Sequence, residues 1–262
     1  MKVRKKALVT GATSGIGKAL AYQLAEEGYE LILLSKTQES LFKLKHELTQ
    51  KYTIACSIIC LDLSNQSELK KWLEQEIELD VLVNCAGIGK IGDFQTLNLS
   101  EEEKIIQVNG IAPFLITKKF AQQFVQQDKG LIINICSTAS FYPHPFLTVY
   151  GATKSFLFSY TLGLMEEVRR YSSNVRILAI CPGPTKTPFF QKETRAKMAP
   201  DFLSQHFEMT PETVAKKIIQ QFYLKKSYTI IGFQNKLTTR LIQVLPAFLK
   251  VRIVGRYIKK GL

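Results

Sequence analysis

The chain has 262 residues, of which 46% are hydrophobic and 22% charged, which excludes a wholly disordered chain and fits one α/β domain. The net charge of +13 is uneven, because residues 213–262 carry eleven Lys or Arg and no Asp or Glu. A basic excess confined to one end argues against a nucleic-acid-coating domain and predicts a local basic surface.

Short runs rich in Val, Ile and Leu alternate along the chain with longer amphipathic stretches. The predicted strands are 7–10, 30–35, 54–61, 81–84, 131–136, 175–181 and 228–232. The predicted helices are 15–28, 38–51, 65–77, 100–127, 150–171 and 211–224. This alternation predicts βαβ units and an α/β fold with a doubly wound parallel sheet of the Rossmann type.

The predicted domains are a dinucleotide-binding catalytic domain over residues 1–234, with a substrate lid near 188–207, and a basic helical tail over 235–262. Pro246 interrupts the tail. Beyond it, one helical face is apolar and carries Phe248, Val251, Val254 and Ile258, and the opposite face is basic. Two interpretations stay open: reversible contact with an anionic membrane, or packing of the apolar face on the body or on a partner subunit.

The five cysteines are odd in number and contain no C-x-x-C pair, which is typical of reduced thiols in a cytoplasmic protein. The three histidines do not cluster with them, so we expect no metal site. The apolar run at residues 7–9 ends at once in a glycine-rich segment, and the uncharged stretch 130–153 contains prolines and polar residues. We therefore expect neither a signal peptide nor a membrane span.

A glycine-rich segment, TGATSGIG at residues 10–17, joins the first predicted strand to the first predicted helix. Glycines let the backbone turn tightly and approach a pyrophosphate, whose charge then faces the N-terminus of the helix. A simple tight turn remains the alternative for the glycine spacing taken alone. The predicted cofactor-binding residues here are Gly11, Thr13, Ser14, Gly15, Ile16 and Gly17.

Tyr150 and Lys154 are four residues apart in a predicted helix, so their side chains lie on one helix face. A cation beside a phenol favours the phenolate, so we expect Lys154 to lower the pKa of Tyr150 toward neutrality for acid–base catalysis. An exposed helical pair is the alternative for this spacing alone. Ser137 lies thirteen residues before Tyr150, at the carboxyl edge of a predicted strand, where α/β sheets bind ligands.

In this order the motifs resemble the short-chain dehydrogenase/reductase family, in its branch of roughly 250 residues with a Tyr-x-x-x-Lys active site. The resemblance covers about residues 5–232. Further matches are Asn84, Ala86 and Gly87 after the fourth strand, Asn109 in the fourth helix, and Pro182, Gly183, Thr185 and Thr187 after the sixth strand. The chain departs from the family at Cys85, where the family segment has Asn.

The resemblance implies a role for each polar residue. Tyr150 would donate a proton to a substrate carbonyl oxygen that Ser137 holds by a hydrogen bond. Lys154 would lower the pKa of Tyr150 and bind ribose hydroxyls of the cofactor. Asn109 would hold a water that links Lys154 to bulk solvent, and the segment 182–187 would fold over the nicotinamide.

The end of the second predicted strand bears on the choice of cofactor. A carboxylate there would bind a ribose 2′-hydroxyl and repel a 2′-phosphate, but this chain has Ser35 followed by Lys36. Lys36 could pair with a 2′-phosphate, which predicts a preference for NADP(H), with NAD(H) as the second choice. A simple surface lysine is the alternative. Asp62 and Leu63, after the third strand, would contact adenine.

The substrate walls are predicted at residues 138–146 and 189–207, which are rich in aromatic side chains. His144 and Phe189 are the candidate substrate contacts besides Ser137 and Tyr150. Such a cleft favours a hydrophobic ketone or aldehyde, for example a 3-ketoacyl or steroid-like compound, over a sugar. The sequence thus predicts an NADPH-dependent, reversible carbonyl reductase, and the alternative is a catalytically silent NADP-binding protein with a regulatory or membrane-surface role.

A homodimer or homotetramer is also implied, with the helices near 100–127 and 150–171 at the interface. An almost uncharged face supports this interface, and its residues are Phe156, Leu157, Tyr160 and Leu164.

Overall fold

In the computed structural model, which describes residues 4–189, 208–224 and 226–259, one seven-stranded parallel sheet is covered by helices on both faces. The strands are β1 Lys6–Thr10, β2 Glu30–Ser35, β3 Cys56–Cys60, β4 Val81–Asn84, β5 Gly130–Ile135, β6 Val175–Pro182 and β7 Tyr228–Ile231. The described helices are α1 Gly15–Glu26, α2 Gln38–Lys51, α3 Gln66–Leu73, α4 Leu99–Ile106, α5 Ala112–Gln126, α6 Thr148–Arg169, α7 Pro211–Gln221, α8 Phe233–Gln243 and α9 Ala247–Lys259.

The strand order β3-β2-β1-β4-β5-β6-β7 confirms the predicted doubly wound topology. Leu8 of β1 pairs with Ile32 on one side and with Leu82 on the other. The chain therefore runs outward from β1 to β3 and then returns to β4 beside β1. The crevice beyond the carboxyl ends of β1 and β4 is the topological switch point, where such sheets bind ligands.

Two apolar layers hold the helices on the sheet. Successive side chains of a strand point to opposite faces, so Ala7 and Val9 pack in one layer and Leu8 in the other. The first layer packs α1, α2 and α7 on the sheet, and the second packs α3, α5 and α6. Both faces of the central strands are buried, which explains their continuous hydrophobic runs.

Two predicted features differ in detail. The helix expected over 100–127 is two helices, α4 and α5, joined by a π-helical turn at Gln107–Ile111. Leu157 and Leu164, expected on an oligomer face, are buried inside the chain itself. The predicted lid lies mostly outside the described residues, which resume at 208. Among the described helices, none combines the length and apolar character needed to cross a bilayer.

The C-terminal stretch forms α8 and α9, which meet at Leu245 and Pro246 as predicted from the proline. The boundary expected between 234 and 235 falls inside α8, and the division into two parts stays a prediction. The apolar residues expected to share one face of α9 differ in their exposure to solvent. Val254 is buried, whereas Phe248 and Val251 are exposed.

Candidate active site

The glycine-rich loop between β1 and α1 brings its backbone unusually close to neighbouring chain segments. Gly11 and Gly15 have φ of +65° and +50°, in the left-handed region that favours glycine. A Cβ on Gly11 would lie 2.7 Å from the Cα of Ala86, and one on Gly17 would overlap the carbonyl oxygen of Gly11. Side chains at these positions would collide with backbone atoms, so the close packing of the loop requires glycine at both.

This loop fits a dinucleotide pyrophosphate. Helix α1 begins at Gly15 with no acidic residue in its first turn, and the Ser14 side chain makes no capping hydrogen bond there. The N–H groups of that turn and the positive end of the helix dipole are thus available to an anion. Thr13 and Ser35 share a hydrogen bond of 2.8 Å between their hydroxyl oxygens, which ties the loop to the end of β2.

The segment after β4 is fastened to the same loop. The Thr10 hydroxyl accepts hydrogen bonds of 3.0 Å from the backbone N–H groups of both Cys85 and Ala86. A Cβ on Gly87 would lie 3.6 Å from the Lys154 Nζ, so the absence of a side chain leaves room at the lysine. Asn84, predicted as a cofactor contact, instead points into the core, where it donates to Thr117 Oγ1 and Asn134 Oδ1.

Ser137, Tyr150 and Lys154 come together at the carboxyl end of β5. The hydroxyl groups of Ser137 and Tyr150 share a hydrogen bond. Lys154 Nζ lies 5.9 Å from the centre of the Tyr150 ring and donates a hydrogen bond of 2.8 Å to the carbonyl oxygen of Ile135. The turn Thr138–Ser140 holds this arrangement, because the Ser140 hydroxyl donates to the Lys154 carbonyl oxygen at 2.9 Å.

The electrostatics of the pair differ from the sequence-based expectation. Burial raises the pKa of Tyr150 to about 12, and the hydrogen bond with Ser137 lowers it by a smaller amount. Burial also lowers the pKa of Lys154. The expected lowering of the Tyr150 pKa toward neutrality is not found here, because burial raises that pKa by more than the hydrogen bond with Ser137 lowers it.

Three thiols near Lys154 are a feature that the sequence reasoning missed. Cys85, Cys136 and Cys181 each interact with the Lys154 charge, and Cys136 and Cys181 are fully buried. Burial raises the pKa of the Cys85 thiol to about 12, so it is neutral at physiological pH. The sequence gives a signal for two of these thiols, because Cys85 directly follows Asn84 and Cys136 directly precedes Ser137.

Asn109 lies in the π-helical turn after α4 and is fully buried. Its amide exchanges two hydrogen bonds with the backbone of Ile88 and donates a longer one, of 3.3 Å, to Thr153 Oγ1. A π-helical turn inside a helix is frequent at functional sites, where it redirects a side chain. Here it aims Asn109 at the segment that carries Gly87.

The residues predicted to bind the adenosine part of the cofactor lie at the carboxyl ends of β2 and β3. Lys36 is exposed directly after Ser35. Asp62 accepts hydrogen bonds from Ser64 and lies 3.6 Å from Lys104 Nζ. Although burial alone would raise the pKa of Asp62, the Ser64 hydrogen bonds and the charges of Lys104 and Lys36 hold it below its usual value.

An open cavity of about 420 Å³ lies between Ser64 and the region of α4. It is lined by Ser64, Ser100, Glu103, Lys104, Ile106 and Gln107.

The segment after β6 closes over the glycine loop. A Cβ on Gly15 would lie 3.0 Å from Thr187 Cγ2. Thr185 Oγ1 donates a hydrogen bond of 3.0 Å to the Gly183 carbonyl oxygen. The segment is held in place by Met209, which exchanges backbone hydrogen bonds with Pro184 and Lys186. Together with Pro182 at the end of β6, the predicted nicotinamide-side residues thus lie opposite the glycine loop.

On the substrate side, the Phe189 ring meets the Tyr150 ring edge-on at 5.4 Å between centroids. The His144 ring stacks on Tyr142 at 4.8 Å, and its Nδ1 is 2.8 Å from the Tyr142 carbonyl oxygen. Burial lowers the pKa of His144, so it is a neutral wall residue. The rest of the second predicted wall, residues 190–207, lies outside the described residues.

The profile of the short chain dehydrogenase family matches residues 5–198. The chain belongs to the short-chain dehydrogenase/reductase family. Its members are oxidoreductases that act on CH–OH and C=O groups. The structure accounts for the match, because the family motifs converge on one crevice at the carboxyl edge of the sheet.

Curated relatives of this chain include very-long-chain 3-oxoacyl-CoA reductases. The protein from Anas platyrhynchos is 31% identical over 183 residues, which cover 67% of this chain and 58% of that protein. The protein from Mus musculus is 28% identical, with 97% of this chain and 82% of that protein covered. The chain thus spans less than two thirds of the length of some of these relatives.

Solved structures show the same fold. A short-chain dehydrogenase from Sphingobium yanoikuyae in complex with NADPH has a TM-score of 0.79 and 24% identity, covering 92% of this chain and 96% of that one. A bulky-bulky ketone specific alcohol dehydrogenase from Comamonas testosteroni has a TM-score of 0.75 and 25% identity, with coverages of 92% and 95%.

Proposed function

We propose that this short-chain dehydrogenase/reductase uses NADPH to reduce a hydrophobic ketone or aldehyde to the alcohol, and that the reaction is reversible. The observation that carries the proposal is the hydrogen bond between Ser137 and the Tyr150 hydroxyl, with Lys154 Nζ 5.9 Å from the phenol ring. This places a proton donor and a second hydrogen-bond donor side by side where a carbonyl oxygen can meet both.

Each polar residue of the candidate site has a separate role in the proton transfer. Ser137 orients the carbonyl oxygen, and Tyr150, which is protonated at neutral pH because burial raises its pKa, donates the proton. Lys154, buried beneath the phenol ring, stabilises the phenolate that remains. Asn109 fixes the neighbouring segment through Ile88, and the water relay implied for it stays a prediction.

The glycine loop, the segment after β4 and Pro182–Thr187 would hold the nicotinamide nucleotide, which supplies the hydride when bound. The tight turn at Gly11 and Gly17 and the uncapped first turn of α1 support this fit. Phe189 and the neutral Cys85 thiol would keep bulk water from the reacting carbonyl.

A preference for NADPH over NADH is supported by the end of β2. The position that would carry a carboxylate in an NAD-selective site holds Ser35, whose hydroxyl is already bonded to Thr13. The exposed Lys36 ammonium follows it, within the electrostatic influence of Asp62. A dianionic 2′-phosphate would gain a charge-assisted contact there.

A hydrophobic substrate of the 3-ketoacyl thioester or steroid-like ketone class is supported by the apolar side of the site. Phe189 contacts Tyr150 directly, and the neutral His144 and Tyr142 stack on the other wall. The relatives named as very-long-chain 3-oxoacyl-CoA reductases point the same way. Aromatic, largely apolar walls favour acyl or ring-carbon surface over sugar hydroxyls.

The test is a spectrophotometric assay of NADPH oxidation with purified protein and a panel of carbonyl compounds. We expect turnover with long-chain 3-ketoacyl thioesters or steroid ketones, and little with short polar aldehydes or sugars. NADPH binding without oxidation by any of these compounds would overturn the proposal and favour the catalytically silent alternative. A preference for the sugars would overturn the assignment of the substrate class.

The assembly and the location of the enzyme are also part of the proposal. We infer a homodimer or homotetramer through α5 and α6, where the exposed Phe156 stacks on Tyr160 at 6.2 Å and Phe114 meets Tyr160 edge-on at 5.2 Å. Phe156→Glu should then shift the mass measured by analytical ultracentrifugation to that of the monomer. A cytoplasmic location with peripheral membrane contact stays a prediction, and the C-terminal helices bear on that contact.

A further inference from the structure

Helix α8 has its polar face turned inward and its apolar face turned outward. Asn235 and Thr239 are buried, whereas Phe233, Leu237 and Leu241 are 80%, 50% and 60% exposed. Residues at i and i+4 share a helix face, so the two sets occupy opposite sides of one helix. This is the reverse of the usual arrangement, in which a surface helix directs its apolar stripe to the core.

Specific contacts fix this orientation. The Asn235 amide donates a hydrogen bond of 2.9 Å to the carbonyl oxygen of Ile231, and its side chain occupies the space beside Gly183. The hydroxyl groups of Thr239 and Tyr142 share a hydrogen bond. Rotating α8 to bury its leucines would break both bonds and leave buried polar groups unpaired, which is unfavourable.

Two further apolar side chains are exposed in the residues that follow α8. Val244, at the end of that helix, and Phe248, in the first turn of α9, are also exposed. We call Phe233, Leu237, Leu241, Val244 and Phe248 together the outer face. Exposed apolar side chains concentrated in one segment of a folded protein mark an interaction site.

The charge around the outer face identifies its partner. Lys236 and Arg240 are exposed on α8 next to the leucines, and Lys250 and Arg252 follow on α9. The sequence contains no acidic residue after Glu212. A second copy of the chain placed on this face would bring like charges together, whereas an anionic lipid surface would neutralise them while its acyl region accepts the apolar side chains.

We propose that the outer face docks the protein on an anionic membrane surface. Helix α9 does not dock through the stripe expected from the sequence, because Val254 is buried and Gly255 lies against Pro145. Since α8 contacts Tyr142 and α9 contacts Pro145, the docked surface adjoins the wall predicted to receive the substrate. The docking itself does not depend on catalysis.

The experiment is flotation of the full-length protein with vesicles of phosphatidylcholine and phosphatidylserine, at low and at high salt. We expect flotation at low salt, release by salt, and none with vesicles of phosphatidylcholine alone. Each cation near such a surface contributes about 1 kcal/mol, so Lys236→Gln with Arg240→Gln should weaken partitioning about 30-fold. Leu237→Ser with Leu241→Ser should weaken it by about tenfold or more.

Matched variants elsewhere serve as controls. Lys43→Gln with Lys70→Gln removes the same charge from exposed positions on α2 and α3, and Phe42→Ser removes an exposed aromatic side chain from α2. These variants should float like the wild type, and all variants should keep the wild-type circular dichroism spectrum. Tyr150→Phe should also float normally, which separates docking from the proposed reductase activity.

Failure of the wild type to float at low salt would overturn the proposal. So would equal loss in the control pair and the Lys236, Arg240 pair, because the attraction would then come from net charge alone. If the two leucine substitutions dissociated an oligomer without affecting flotation, the outer face would be an interface between copies of the chain.

Discussion

The side-chain amide of Asn109 and the backbone of Ile88 form a reciprocal pair of hydrogen bonds, with the amide donating at 2.8 Å and accepting at 2.9 Å. This pair fastens the π-helical turn after α4 to the segment that follows β4. Gly87, the residue before Ile88, leaves open the space beside Lys154. We infer that Asn109 is a positioning residue that holds the Gly87 segment beside Lys154.

Replacement of Asn109 by Leu keeps the side-chain volume but leaves the N–H and carbonyl groups of Ile88 without partners. A buried group that loses its partner costs about 1–3 kcal/mol, so we expect a lower free energy of unfolding in urea and a higher KM for NADPH. Gln126→Leu, at an exposed position on α5, is the control and should change neither. An unaltered KM for NADPH in Asn109→Leu would contradict the positioning role.

Tyr150→Phe removes the transferable proton and leaves the ring in place. General acid catalysis is worth about 10²–10⁴-fold, so turnover should fall by about that factor, while NADPH binding, followed by fluorescence, should persist. Tyr171→Phe removes a hydroxyl from a tyrosine that is 78% exposed and should be silent. Near-normal NADPH oxidation by Tyr150→Phe would exclude Tyr150 as the proton donor.

Lys36→Ala tests the cofactor preference. We expect the wild type to bind NADPH more tightly than NADH, and the substitution to narrow that difference. A hydrogen bond to a charged group is worth about 1.5–3 kcal/mol, so the affinity for NADPH should fall about tenfold or more while that for NADH hardly changes. Lys43→Ala, on the exposed side of α2, is the matched control. Equal affinities for the two cofactors in the wild type would refute the interpretation of Ser35 and Lys36.

The raised pKa of Tyr150 predicts different pH dependences for the two directions of the reaction. With a pKa of about 12, the phenol is protonated across neutrality, so carbonyl reduction should show little dependence on pH from Tyr150 between about pH 6 and about pH 9. Alcohol oxidation needs the phenolate and should accelerate by up to about tenfold per pH unit. Initial rates in both directions test this.

The control for this profile is Tyr22, whose pKa burial also raises to about 12 but which lies on α1 and bonds to Glu47. Tyr22→Phe should leave both profiles unchanged. An oxidation rate that levels off near neutrality would mean that the Tyr150 pKa is lowered during catalysis, as the sequence reasoning expected.

The sheet and the catalytic group were predictable because they follow from short-range patterns. Apolar runs between amphipathic stretches specify strands buried on both faces, and the parallel sheet then brings the carboxyl ends of β1, β4 and β5 together. Tyr150 and Lys154 lie one helical turn apart, so their proximity follows from helix geometry. The position of Ser137 at the end of β5 completes the group.

Other features depend on packing between distant segments, which periodicity does not specify. The inward polar face of α8 results from the contacts of Asn235 with Ile231 and of Thr239 with Tyr142. The direction of the Tyr150 pKa shift depends on how deeply the phenol is buried, and sequence spacing reports only the nearby cation. The inward orientation of Asn84 likewise follows from partners on α5 and β5.

Those partners of Asn84 form a buried polar chain that spans β4, α5, β5 and α6. Asn84 and Thr117 donate to Asn134 Oδ1 at 2.8 and 3.1 Å, and Asn134 Nδ2 donates to Thr161 Oγ1 at 2.9 Å. Thr161 in turn donates to the Leu157 carbonyl oxygen at 2.6 Å. This series of hydrogen bonds crosses the apolar layer between the sheet and α6, the helix that carries Tyr150 and Lys154.

Thr161→Val tests the contribution of these hydrogen bonds to stability. Valine has nearly the shape of threonine but cannot accept the Asn134 hydrogen bond. The unpaired amide should lower the free energy of unfolding by about 1–3 kcal/mol, measured by urea denaturation. Thr161→Ser, which keeps the hydroxyl, should lose less. Thr49→Val is the surface control, since its exposed hydroxyl bonds only to backbone carbonyls on α2, and it should change stability by less than about 0.5 kcal/mol. Equal stability of Thr161→Val and Thr161→Ser would show that the hydroxyl contributes nothing to holding α6 on the sheet.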